Sequence, residues 1–132
     1  MQQHRLKGIA SEMLFASRWY GEITDEKDSL ISPHLDTGWD FMVASTGKRF
    51  QVKRHSKSKK YNPYNLDLRR KRNKGTGNYT GEEFDYLVVH DTETDEFVVE
   101  HVNELMVDGV MKQSVSIKSL DMSISDLVFL AT

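Results

Sequence analysis

The chain has no cysteine among its 132 residues, which excludes a disulfide scaffold, a thiolate metal centre and a cysteine nucleophile together. It also lacks any apolar run near the ~20 residues that a membrane-spanning helix needs. Its first residues, MQQHRLKGIASE, contain no signal-peptide core, so a soluble, cytoplasmic protein is expected. No internal repeat is visible. An excess of either charge is lacking too, because 18 Lys and Arg meet 20 Asp and Glu for a formal charge of −2. With 38% hydrophobic and 29% charged residues, the chain is polar but not disordered in composition, and its length fits a single domain over residues 1–132.

What is present is unevenly placed. Residues 1–47 balance to −3, residues 48–74 to +11 and residues 75–132 to −10. In the middle block Asp67 is the single acid among 12 basic residues. A block of like charge repels itself unless a polyanion neutralises it, so the distribution points to nucleic acid where the total does not.

Periodicity predicts a helix over Lys7 to Tyr20, with Ile9, Met13, Ala16 and Tyr20 as its apolar stripe, widened by Leu14 and Phe15, and with Gly21 as its stop. A short strand is expected at Ser29–Ser32 and a turn at Asp36–Trp39. Asp40–Ala44 and Lys48–Lys53 read as a hairpin turning at Ser45–Lys48. In its second strand Arg49, Gln51 and Lys53 share one face, with Phe50 and Val52 on the other. Residues 54–81 hold the basic block and read as a long loop or as a short helix near Leu66–Lys71. Phe84–His90 and Glu96–Glu100 are the next strands, and short helices are expected at Val102–Val107 and Leu120–Leu130, with Ser125-Asp126 as a cap for the last. The sum is a mixed α/β fold around one sheet.

This order can bring four polar residues together: Glu12 on the helix, Asp40 at a strand start, and Gln51 and Lys53 on one strand face. Phosphodiester hydrolysis calls for a divalent ion that holds a scissile oxygen and activates water. Mg²⁺ takes hard oxygen ligands and often only one or two carboxylates. Glu12 and Asp40 supply carboxylates, Gln51 a side-chain carbonyl, and Lys53 a group to orient the attacking water or stabilise developing charge. Asp36 is a secondary metal candidate. His55 and His90 are left outside the core set.

Glu12, Asp40 and Gln51-x-Lys53, on a helix followed by a hairpin, resemble the PD-(D/E)xK nucleases. The string GIASEMLFASRWYGEI…DTGWDFMV…GKRFQVKRH…FDYLVVHD is similar to their small single-domain members, the archaeal Holliday junction resolvases and the homing endonucleases with Gln at the second motif position. Trp39 stands where the motif's name has Pro, and Gln51 replaces a carboxylate. The resemblance covers about residues 8–100. It implies a restriction endonuclease-like core of αβββαβ type, a mixed central β-sheet flanked by helices. It also implies Mg²⁺, with Mn²⁺ as substitute, held by Glu12, Asp40 and Gln51, and catalysis by these three with Lys53.

The basic block then reads as a DNA-gripping loop at 54–81. Arg49, Arg54, Lys57, Lys59, Lys60, Tyr61, Arg69, Arg70, Lys71, Arg72 and Lys74 are the candidate DNA contacts. Tyr64 and Tyr79 add aromatic surface. The acidic C-terminal extension, 101–132, is expected to bind DNA poorly, and its clusters Val107–Val115 and Leu127–Leu130 to form a subunit interface in a homodimer or homotetramer. The function expected is a Mg²⁺-dependent, site-specific endonuclease of double-stranded DNA, homing or restriction-like. The alternatives are a structure-selective junction resolvase and a catalytically inactive DNA-binding protein on the same fold.

Overall fold

Helix α1 (Gln3–Glu22) turns Ser11, Phe15 and Trp19 into the protein, at the four-residue spacing of one helix face. This computed structural model describes residues 3–35, 37–57, 62–72 and 75–132. The buried face is not the stripe that the sequence suggests: Ile9, Met13 and Tyr20 are exposed. Periodicity gives a phase but no direction, and α1 carries apolar residues on both sides. Nor does Gly21 stop the helix, which runs on to Glu22.

Strands β1 (Leu30–Ile31), β2 (Phe41–Val43) and β3 (Arg49–His55) follow. The β2–β3 turn needs the positive φ of Gly47 (75°), a conformation open to glycine. The stretch read as a loop or a short helix instead holds three short strands, β4 (Asn65–Asp67), β5 (Arg70–Arg72) and β6 (Gly75–Gly77). Leu66 and Leu68 are buried on either side of Asp67, a period of two that suits a strand and not a helix. Next come β7 (Tyr86–Asp91) and β8 (Glu96–His101), close to expectation. The helix expected at Val102–Val107 is one 3₁₀ turn leading into a hairpin of β9 (Met106–Val107) and β10 (Val110–Met111). Asp108 and Gly109 turn it with φ of 52° and 78°, the left-handed pair that two-residue hairpins favour. Strand β11 (Ser114–Ser116) precedes α2 (Ile124–Ala131). The cap of α2 is Ser123, in a reciprocal capping box with Asp126, two residues before the expected one.

The central sheet has the order β1-β2-β3-β7-β8. Its β3–β7 pair is parallel and its other pairs are antiparallel, so the sheet is mixed and flanked by two helices. Side chains alternate across it. Phe50, Val52, Tyr86, Val88 and Val99 face α1 and α2 in one core, where the Phe15 ring lies 5.7–6.3 Å from those of Trp19, Phe41, Phe50 and Phe97. Leu87 and Val89 face a second core, closed by Leu66, Leu68, Tyr79, Phe84, Leu105 and Ile117. The β4–β11 pair covers that side, and so the C-terminal segment completes the fold around the basic one. Among the described residues no helix is long and apolar enough to cross a membrane.

Candidate active site

Strand β2 pairs with β3 only through Phe41↔Phe50 and Met42↔Arg49. Beyond Phe50 that edge of β3 has no strand beside it among the described residues, and a bare N–H there needs another acceptor. Asp40 supplies it: its backbone N–H donates to Phe50 O (2.7 Å) and its Oδ2 accepts from Val52 N–H (2.7 Å). Both bonds fix the carboxylate at the edge of β3, just before β2 begins.

Helix α1 reaches this edge with Glu12. Its rotation is set one residue earlier, where the buried Ser11 hydroxyl meets His90 Nδ1 at 2.8 Å. The Glu12 and Asp40 carboxyls share a hydrogen bond. Burial first, then the hydrogen bond that the protonated Glu12 donates to Asp40 and then the Asp40 charge, push the Glu12 carboxyl from 4.5 up to about 8. Two carboxyl groups held this close cannot both ionise freely.

Gln51 donates through Nε2 to Val52 O (3.4 Å), so Asp40 and Gln51 engage the backbone of the same residue. Lys53 carries its ammonium 5.7 Å from the centre of the Tyr79 ring. The structure therefore joins Glu12 to Asp40 directly and Gln51 to Asp40 through Val52, with Lys53 two residues further along β3.

These residues suit a hard divalent ion. A carboxyl pair that must keep a proton in order to coexist is an arrangement that a cation relieves. Its donors, Glu12, Asp40 and the Gln51 amide oxygen after a turn of the amide, are all oxygen. Among the described residues no group of three His, Cys, Asp or Glu side chains is suited to a metal; the pair here offers two carboxylates, a number that Mg²⁺ accepts.

The candidate DNA contacts fall into three groups. Lys59, Lys60, Tyr61 and Lys74, like Asp36, lie outside the described residues. Arg70, Lys71 and Arg72 form β5, which pairs with β6 in the register Arg70↔Gly77, Lys71↔Thr76 and Arg72↔Gly75. The others have partners within the protein. Arg69 is in a bidentate pair with Asp67 (2.8 Å). Arg49 is half-buried, its Nε 3.4 Å from Asp85. Arg54 is on the α1 side of β3, 3.3 Å from Ser11 Oγ, with its buried Nε lacking a partner among the described residues. Lys57 is exposed at 5.9 Å from the Tyr64 ring.

Two aromatic expectations change. Tyr79 is not surface but core, edge-on to Phe84 at 5.2 Å. Tyr64 is half-buried under Lys118, whose ammonium stands 3.9 Å from its ring centre. Sequence reasoning missed Lys118, since it lies in the acidic third of the chain, and only the β4–β11 pairing brings it to the basic segment. It also missed the Ser11–His90–Asp95 chain, in which His90 Nε2 lies 2.8 Å from Asp95 Oδ1. A Ser before Glu12 and a His near the end of β7 were the signals, but 79 residues separate them.

Among known proteins, no family model and no curated protein matches this chain. A solved structure of a bacterial homing endonuclease, I-Ssp6803I, is similar, with a TM-score of 0.66 and 23% identity over 87% of this chain and 78% of that one. At that identity the likeness is one of fold: this mixed central sheet flanked by helices resembles the fold of a homing endonuclease.

Proposed function

We propose that this chain is a Mg²⁺-dependent endonuclease that hydrolyses phosphodiester bonds of double-stranded DNA at specific sites, a member of the PD-(D/E)xK nucleases in which Mn²⁺ can substitute. The observation that carries this reading is the Glu12–Asp40 pair, two carboxyls forced together at an open strand edge beside Gln51. The fold neighbour is a homing endonuclease, which supports DNA as the substrate. The concentration of positive charge in residues 48–74 supports a polyanionic partner.

When bound, a divalent ion supplies Lewis-acid stabilisation of the scissile phosphate and a lowered pKa for the attacking water. Glu12, Asp40 and Gln51 would hold it. Asp40 is anchored through Val52 N–H and so keeps its orientation as charge develops. Lys53, on the same strand as Gln51, would orient the water or stabilise negative charge in the transition state. Arg69, Lys57 and Lys118 engage the phosphates around the site. Cutting both strands requires two centres, and a homodimer or homotetramer belongs to the proposal.

The test is incubation of the purified chain with genomic and plasmid DNA in Mg²⁺, Mn²⁺ and chelator, beside Asp40→Asn and Lys53→Ala. Discrete fragments that need the ion and disappear in both variants are expected. Preference for four-way junctions over linear duplex would replace site-specific cleavage by junction resolution. Salt-sensitive binding with no cutting in either ion would overturn the catalytic reading in favour of a DNA-binding protein.

A further inference from the structure

The outer face of α1 is apolar. Leu6, Ile9, Met13 and Tyr20 are 50%, 39%, 68% and 49% exposed, and Ala10, Ala16 and Ser17 fill the positions between them. At 100° per residue these seven positions cover an arc of about 120°, opposite Phe15. The nearby charges, Arg5, Lys7, Glu12 and Arg18, lie on the flanks of this arc, so Ser17 is the sole polar residue on it. A helix that is apolar on both sides is ordinarily covered on both. Ile31 and Leu35, on the segment tethered to α1 by the bond from Leu30 N–H to Tyr20 Oη (3.0 Å), are exposed as well.

The stripe reads nearly the same in both directions about Met13. Leu6 and Tyr20 are equally distant from it, as are Ile9 and Ser17, and Ala10 and Ala16. Bulky residues stand at the ends and small ones beside the centre, which allows two backbones to approach. We propose that this face pairs with α1 of a second copy of the chain, antiparallel, with Met13 on the two-fold axis. Leu6 then packs on the partner's Tyr20, Ala10 on the partner's Ala16 and Ile9 on the partner's Ser17.

Charge selects the orientation and the occupant. Helix α1 has no acid in its first turn and no base in its last, and Arg5 and Lys7 sit near its positive N-terminal end, unfavourably for its own dipole. In the antiparallel pair they meet the negative C-terminal end of the partner helix. A parallel pair would set them against each other. An isologous interface of this kind is closed and self-limiting.

The face is about 21 Å long and roughly 10 Å wide. That is about a quarter of the ~800 Å² per partner of a standard interface, so the association is weak and depends on concentration. A two-fold that relates two antiparallel helices is perpendicular to them and to the line joining them. The flank bearing Glu12 therefore falls on the same side of the pair in both copies. The two Glu12–Asp40 centres then face one duplex together, a consequence that rests on the nuclease reading, whereas the pairing itself does not.

The natural absence of cysteine makes the test direct. In sedimentation, the mass of the wild type should rise with concentration from 15.3 kDa toward twice that value. Met13→Glu, which sets two carboxylates against each other on the axis, should remain at the monomer mass with unchanged circular dichroism. Met13→Leu should behave as wild type, and Phe129→Glu, on the exposed face of α2, should still associate. Under oxidation, Met13→Cys should form a covalent dimer by itself, and Ile9→Cys should cross-link with Ser17→Cys in a mixture more readily than either with itself. A wild type that stays monomeric at every concentration, association retained by Met13→Glu, or dissociation by Phe129→Glu instead would overturn the proposal. None of these readings depends on cleavage, so an inactive protein would refute the nuclease reading and leave this one standing or falling by mass.

Discussion

Glu12→Gln should make the metal-free protein more stable at alkaline pH and at the same time remove its response to Mg²⁺. In the folded chain the Glu12 carboxyl is held up at about 8, against 4.5 ordinarily. Between those values the folded state keeps a proton that the unfolded state has lost, so stability falls as pH rises through this window and levels off above about 8. At 1.36 kcal/mol per pH unit the full step amounts to a ceiling of about 5 kcal/mol. Glu12 is half-buried, and solvent screening leaves about 1–3 kcal/mol of it as a realistic penalty. Gln keeps the hydrogen bond to Asp40 and cannot ionise, so the penalty disappears. For a domain of this size that corresponds to a rise in Tm of at least about 3 °C at about pH 9, shrinking toward zero near pH 5. The assay is thermal unfolding of wild type and variant across pH, each with Mg²⁺ and with chelator. The difference between the two proteins isolates Glu12 from every other titrating group. Mg²⁺ should raise the Tm of the wild type most above about pH 8 and leave that of Glu12→Gln nearly unchanged. Equal Tm for both proteins at all pH values, or equal stabilisation of both by Mg²⁺, would refute the carboxyl-pair reasoning.

Further outcomes follow from the same geometry. Lys53→Ala should lower the cleavage rate by about 10²-fold or more while mobility-shift affinity for DNA stays within a few-fold, if the ammonium acts in the transition state as proposed. Lys118→Ala should weaken DNA binding and reduce the slope of log affinity against log salt by about one, measured by fluorescence anisotropy over a salt series. An unchanged slope would detach Lys118 from the DNA surface. Phe15→Ala, in the middle of the aromatic cluster, should cost about 3–5 kcal/mol in urea unfolding. His90 and Arg18 lower the Asp95 carboxyl below its usual range, so its contribution to stability is present at neutral pH and disappears as pH falls through the depressed value. Asp95→Asn should accordingly flatten the acid limb of the stability curve.

The chain's local signals were legible where one residue type dictates one geometry. The Phe50/Val52 against Gln51/Lys53 alternation in β3, the buried β7 and the glycine turn before Lys48 could be read from neighbours a few residues apart. So could the candidate site, since Asp40, Gln51 and Lys53 lie within one hairpin and Glu12 on the helix before it. The β4 strand was taken for helix because Leu66 and Leu68 are too few to establish a period. The helix expected at Val102–Val107 takes in β9 because the two strands of that hairpin are only two residues each, too short to show a period.

By itself, then, the sequence determined the elements of the sheet, the oxygen-bearing side chains of the candidate site and the place of the positive charge, since these depend on side-chain chemistry and short-range spacing. Tertiary structure decided which side of α1 is buried. Ile9–Met13–Tyr20 and Ser11–Phe15–Trp19 are both plausible core faces by spacing, and what separates them is the shape of the aromatic pocket formed by Phe41, Phe50 and Phe97. It also decided that Lys118 joins a basic surface encoded some 50 residues earlier and that Tyr79 underlies Lys53, because both follow from strand pairing across the chain. The state of the Glu12–Asp40 pair belongs there too: a carboxyl moves to about 8 only when burial and a second carboxyl act on it at once, and neither is a property of any one residue.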